Sequence, residues 1–103
     1  MDMSETKPSI MELVVYHVKP EVEERYGFLL EMARREVRNF PGLLGYDTFR
    51  SVKNSNTFID IVYWNSLKEG QAAASAIAQK LELKPWAEAF EKIEFMDHFT
   101  FFK

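Results

Sequence analysis

Asp60 is the residue of this 103-residue chain whose setting most invites chemistry. It lies in the run Thr-Phe-Ile-Asp-Ile-Val-Tyr-Trp, residues 57 to 64, which reads as a β-strand. Alternation then puts Phe58, Asp60, Val62 and Trp64 on one face, so a carboxylate stands among apolar groups. Such a group must be solvated, paired or left with a raised pKa, and a raised carboxylate suits a general base. Arg50, on the neighbouring predicted strand, is the candidate partner for an Arg–Asp pair. Pair and base both stay open at this point. His17 and His98 also sit on apolar strands, as candidate acid–base or ligand-contacting groups or simply as satisfied core or rim histidines. Tyr16, Tyr46 and Tyr63 carry phenolic donors that could meet a ligand or merely fill a sheet.

Other chemistries find no residues to carry them. With no cysteine there is no disulfide, no thiolate nucleophile and no Cys-ligated cluster. The two histidines, Asp60 and Glu12 follow no metal-ligand spacing, so no metal is expected. No phosphate-binding glycine loop, nucleophile elbow or flavin or nicotinamide fingerprint occurs, and no cofactor is expected. A net charge of −3 argues against a nucleic-acid partner, since phosphate binding is driven by Lys and Arg. No apolar run approaches the roughly 18 residues of a membrane span. The start, Met-Asp-Met-Ser-Glu-Thr-Lys-Pro, lacks the apolar centre of a signal peptide. The expectation is a cytoplasmic protein without membrane contact.

The elements that must position these groups follow from period and punctuation. Residues 1–9 have nothing to bury and are expected as a flexible tail, leaving 10–103 as a single domain. Ile10 to Lys19 is a strand apolar on both faces, stopped by Pro20. From Pro20 to Phe40 the period becomes helical, with Val22, Tyr26, Leu29 or Leu30, Ala33 and Val37 facing inward. Gly27 inside this helix hints at close packing. Phe40-Pro41-Gly42 ends it. Leu43 to Val52 and Thr57 to Trp64 form a hairpin around Lys53-Asn54-Ser55-Asn56, with Tyr46, Thr48, Arg50 and Val52 on one face. Ser66 and Glu69 fit a capping box for a slim helix carrying Leu67, Ala74, Ile77 and Leu81 inward. Pro85 opens a short helix with Trp86, Ala89, Phe90 and Ile93 on one side, and a strand alternating Phe95, Phe99 and Phe101 with Met96, His98 and Thr100 closes the chain. This order, β-α-β-β-α(α)-β, predicts an α+β, ferredoxin-like fold: a four-stranded antiparallel sheet with helices on one face. The other face is apolar too, so a second copy's sheet is its simplest cover, giving a homodimer. His17 and His98 are expected near one another, on the first and last strands.

Three passages in register resemble the dimeric α/β-barrel superfamily, and within it the antibiotic-biosynthesis-monooxygenase-like group. They are Tyr16-His17-Val18-Lys19-Pro20, Phe40-Pro41-Gly42-Leu43-Leu44-Gly45-Tyr46 and Val62-Tyr63-Trp64-Asn65-Ser66. The resemblance implies a cavity between sheet and helices that takes a small apolar or aromatic molecule. It also implies a cofactor-free monooxygenase-like activity on an electron-rich phenol or quinol. In that reading Asp60 or His17 removes the proton, while Trp64, Tyr16, Tyr46, Arg50 and His98 contact the ligand. Trp64 would hold a flat ring and offer its indole N–H, or else only plug the core. Haem-degrading members carry a His after the strand-three Trp, whereas Gln71 through Ile93 has none here, which counts against haem. The alternative is a non-catalytic binding or structural dimer of the same fold.

Overall fold

The computed structural model describes residues 10–103, so the tail expected over 1–9 lies outside the described residues. Four strands, β1 (Ile10–Val18), β2 (Leu43–Arg50), β3 (Thr57–Trp64) and β4 (Phe90–Thr100), form one sheet in the order β2-β3-β1-β4. Every neighbouring pair is antiparallel. Three helices, α1 (Tyr26–Val37), α2 (Leu67–Gln79) and α3 (Lys84–Glu88), complete the ferredoxin-like α+β fold. No helix among the described residues is long and apolar enough to cross a membrane.

The residues facing the helices are the even positions of β1 and β3. Val14, Tyr16 and Val18 pack with Phe58, and Val62 and Trp64 extend the same face. Against them α1 brings Tyr26, Leu29, Ala33 and Val37, the spacing its sequence predicts. Its first turns tighten into a 3-10 helix over Pro20–Arg25, a common form at helix starts. Gly27 is exposed, and a Cβ there would meet nothing within 4 Å, so close packing is not its reason.

The second half departs further from expectation. α2 is capped as predicted, Ser66 Oγ accepting from the Glu69 N–H at 3.2 Å. It buries Gly70 and Ala73, however, and leaves Leu67 and Leu81 exposed. A side chain on Gly70 would sit 3.1 Å from Trp64, so the small residues mark where helix and sheet touch. Leu81 falls in a 3-10 turn beyond the helix end, where Leu83 is the residue that turns inward. β2 stops at Arg50, and Val52 is fully exposed in the turn. β4 begins earlier than the aromatic alternation suggests, because Phe90 stacks on Tyr16 with ring centroids 4.3 Å apart and planes 3° off parallel. Phe90 and Ile93 therefore belong to a strand, not to α3.

At one end Gly42 adopts φ +83, a conformation that favours glycine, and its carbonyl accepts from Asn65 N–H at 2.8 Å. A Cβ on Gly42 would run into the Glu69 carboxyl. This junction ties the start of β2 to the start of α2.

Candidate functional site

Between the sheet and the helices lies a cavity of about 300 Å³. Val14, Val62 and Trp64 form its floor, α1 and α2 its roof through Ala33, Val37, Gly70 and Ile77, and Trp86 one side. β4 projects past the helices, so Ile93 and Met96 are half exposed at the mouth. The walls are apolar apart from a few groups, of which Asp60 is the most enclosed at 4% exposure.

Three hydroxyls hold the Asp60 carboxylate. Tyr16 and Thr48 each donate to Oδ1 at 2.8 Å, and Tyr46 donates to Oδ2 at 2.8 Å. The donors have donors of their own. Arg34 Nη2 donates to Thr48 Oγ1 at 2.8 Å. Because Tyr16 gives its proton to Asp60, the 2.6 Å contact between Tyr16 and Tyr26 is a donation by Tyr26. Tyr26 in turn accepts from Trp86 Nε1 at 3.0 Å. Both chains point the same way and end on one carboxylate, an arrangement in which each bond polarises the next. Oδ1 has both lone pairs engaged, while Oδ2 keeps one open.

Electrostatics pull this group in two directions. Burial pushes the Asp60 pKa above its ordinary value, and the Tyr16, Tyr46 and Thr48 hydrogen bonds oppose the rise without cancelling it. Arg34 lowers it least, through its charge; its guanidinium bonds Thr48 and lies 4.8 Å over the Tyr46 ring. The Tyr16, Tyr26 and Tyr46 hydroxyls are all pushed up, chiefly by burial, so each remains a donor. The result is a base with one lone pair open and a raised pKa, enclosed by apolar walls.

The other sequence candidates separate by face. Arg50 is not the partner of Asp60. The β2–β3 register sets Thr48 opposite Asp60 and Arg50 opposite Phe58, whose ring its guanidinium covers at 5.1 Å. His17 lies on the far side of the sheet from Asp60, its Nδ1 2.7 Å from Thr57 Oγ1 and its Nε2 2.9 Å from Glu94. The sheet thus stands between His17 and the cavity. His98 is on the cavity side of β4 and opposite Glu12 on β1, while His17 is opposite Lys92, so the two histidines do not meet. Trp64 does line the cavity, but its indole N–H is already donated to Glu12 Oε1 at 2.9 Å. Tyr46 lines the cavity, and Tyr16 acts on Asp60 from beneath. No group of three or more His, Asp or Glu side chains converges as a metal site among the described residues.

Residues 9–81 match the model of the antibiotic biosynthesis monooxygenase family. The chain belongs to that family. No curated protein matches it in sequence. Among solved structures it is similar to a protein of Bordetella bronchiseptica, with TM-score 0.75 and 18% identity over 94% of this chain and 100% of that one. It is similar also to a conserved protein of Methanosarcina mazei, with TM-score 0.70 and 14% identity over 90% and 92% of the two chains. A variant of SnoaB, a cofactor-independent oxygenase of Streptomyces nogalater, matches with TM-score 0.66 and 13% identity over 94% of each chain. At such identities the likeness is one of fold. The family match stops at residue 81, so Trp86 and all of β4, which close one side and the mouth of the cavity, lie outside it.

Sequence reasoning missed five contributors to the site: Thr48, Arg34, Tyr26, Trp86 and Glu12 in its contact with Trp64. For Thr48 a signal existed, because centring the hairpin on Asn54 pairs it with Asp60. Tyr26 was legible as core, but nothing in its spacing shows that its hydroxyl meets Tyr16.

Proposed function

We propose that the protein is a cofactor-free monooxygenase-like enzyme that acts on a small, electron-rich phenol in the cavity, with Asp60 as the base. One observation carries this reading: a buried carboxylate with a raised pKa, three hydroxyl donors and one open lone pair, facing an apolar space. Membership in the antibiotic biosynthesis monooxygenase family supports it, as does the fold shared with a cofactor-independent oxygenase. A volume of about 300 Å³ suits a ligand at the small end of the usual range.

Asp60 Oδ2 takes the phenolic proton, and the apolar walls leave the resulting anion poorly solvated and electron-rich. A ring carbon ortho or para to the oxygen then forms a bond to dioxygen, which accepts two electrons from the ring and becomes a peroxide. The proton held at Asp60 returns to the peroxide. Loss of the proton on that carbon breaks the O–O bond, hydroxide leaves and joins the proton as water, and a quinone remains. One phenol and one dioxygen give one quinone and one water. The Tyr and Thr donors steady Asp60 in its charged state, before it takes the phenolic proton and again after it returns it.

We infer in addition that a second copy covers the open sheet face. Phe49, Phe95 and Phe99 are exposed there beside half-buried Val15, Ile59 and Ile61, paired across four strands into one apolar patch of the kind that marks an interaction surface. Cytoplasmic residence fits the lack of cysteine and remains part of this proposal.

The test is oxygen uptake with naphthols and anthrols as substrates. Uptake by the wild type should fall by about 10²- to 10⁴-fold in Asp60→Asn, the usual worth of a general base. Binding of these phenols without uptake would favour the non-catalytic binder, and undiminished uptake in Asp60→Asn would remove Asp60 from the chemistry.

A further inference from the structure

The cavity wall holds a second carboxylate that the reaction above does not use. Glu12 stands on the helix side of β1, and its Oε1 accepts from Trp64 Nε1 at 2.9 Å and lies 3.5 Å from His98 Nε2. Oε2 has no hydrogen-bond partner among the described residues, and the side chain as a whole is 15% exposed. His98 Nε2 is buried and makes no hydrogen bond at all among the described residues. The pairing explains the placement: Glu12 is opposite His98 on β4 and opposite Val62 on β3, while Asp60 is opposite Val14. Glu12 and Asp60 are therefore diagonal neighbours on one face, roughly 7–8 Å apart along the backbone. Val14 and Val62 make an apolar floor between them, and all four line the same cavity.

A ligand with a single polar group would answer one carboxylate and leave the other against an apolar surface, at a cost in desolvation. A flat ring with donors at opposed ends answers both. We propose that Glu12, fixed by Trp64 and His98, is a second anchor that makes the cavity select aromatics carrying hydrogen-bond donors at two opposed positions. The inference deepens the Asp60 reading and rests on it for one end of the ligand. Glu12 contacts that ligand directly through Oε2, while Trp64 holds the other oxygen and His98 is a positioning residue 3.5 Å from it, an ion pair whenever the imidazole is protonated.

The experiment is an anaerobic titration of the intact protein with naphthalene-1,4-diol and with 4-methoxy-1-naphthol, followed by tryptophan fluorescence. The second probe keeps the ring and both oxygens of the first, loses one donor and gains one methyl group, whose bulk is present equally in the titrations of wild type and variants. The wild type should bind the diol at least about tenfold tighter, the worth of one charge-assisted hydrogen bond. Glu12→Gln should lose that preference while its affinity for the methoxy probe stays within about twofold, since Gln still accepts from Trp64. His98→Gln should reduce the preference in part, and it carries the test alone if Glu12→Gln does not fold. A preference retained in the variants, no preference in the wild type, or no binding of either probe overturns the proposal. Asp60→Asn separates this inference from the one beneath it. Weaker binding of both probes with the preference intact supports both, whereas unchanged affinities sink Asp60 as an anchor and leave Glu12 to stand or fall by its own variants.

Discussion

The two faces of the sheet each carry one cluster built around a carboxylate, and enclosure makes the clusters behave in opposite ways. On the helix side Asp60 takes three hydroxyl donors, yet burial still drives its pKa up. On the open side Glu94 takes His17 at 2.9 Å and Lys92 at 3.3 Å, and those hydrogen bonds, His17 first, pull its pKa down. Both acids are well supplied with donors. What separates them is water: Glu94 has it and Asp60 does not. A donor count alone would have named the wrong acid as the stronger base. The comparison also accounts for His17, which is a lone titratable group on an apolar strand just as Asp60 is. It serves a wet rim pair and not the enclosed site.

The largest expected effect tests whether the open face is really left to solvent. Ile59 lies at its centre, paired with Val15 and Phe49. If a second copy covers it, Ile59→Lys buries an unpaired charge, at a cost on the order of 3–5 kcal/mol. That weakens the dimer by about 10²- to 4 × 10³-fold. Sedimentation of wild type and variant at micromolar concentration reads this directly, and a monomeric wild type would end the inference. The Asp60 cluster is built within one chain, so its far-side geometry predicts an Ile59→Lys monomer that keeps its far-UV circular dichroism.

Next in size is Tyr16→Phe, which sharpens the helix-side half of the contrast. It removes one donor from Asp60 and strands the Tyr26 hydroxyl, which then has no acceptor in the chain of donations. A loss of about 1–3 kcal/mol in urea unfolding is expected, the cost of an unsatisfied buried polar group. With one opposing hydrogen bond gone, the Asp60 pKa rises further, so the acid limb of any activity profile should move to higher pH. A limb that stays in place would mean that Tyr16 has no hold on the base.

How far these clusters could be read from sequence depends on what sets them. Element order and strand parity fix the ferredoxin-like sheet and place Asp60 beside Trp64 on one face, because both follow from a period of two along a single run. Parity does not say which face the helices cover when both are apolar, so His17 and Asp60 looked alike. Partner choice needs register, and a hairpin misplaced by one residue exchanges Thr48 for its neighbours. Arg50 looked like the counter-charge because it is the only cation on its strand. The cation that does serve, Arg34, comes from a helix whose docking angle no local pattern encodes. The bulges in β4, between the partners of Val15 and Tyr16 and again at Val18, are equally silent in sequence, and they bring Glu94 to His17.

The smallest expected effect is also the one that tests the comparison at its root, through the sign of a slope. A raised folded pKa means that native Asp60 holds a proton more readily than unfolded Asp60, whose ordinary value is 3.8. Relative to Asp60→Asn, the wild type should therefore gain stability as pH falls from the raised folded value toward 3.8, and be flat above that window. Any fixed cost of the Asn amide cancels, since only the slope is read. Glu94 runs the other way. Its folded pKa lies below the ordinary 4.5, so the stability it contributes is whole above 4.5 and is lost as pH falls through the folded value. Its slope should be slight and fade in salt, because Glu94 itself and its partner Lys92 are exposed. Urea unfolding of wild type, Asp60→Asn and Glu94→Gln in steps from neutral to acid pH supplies both curves. Opposite slopes uphold the contrast. Two curves falling together with pH would mean that the hydroxyls around Asp60 outweigh its burial, which would leave a strong acid where the proposed chemistry requires a base.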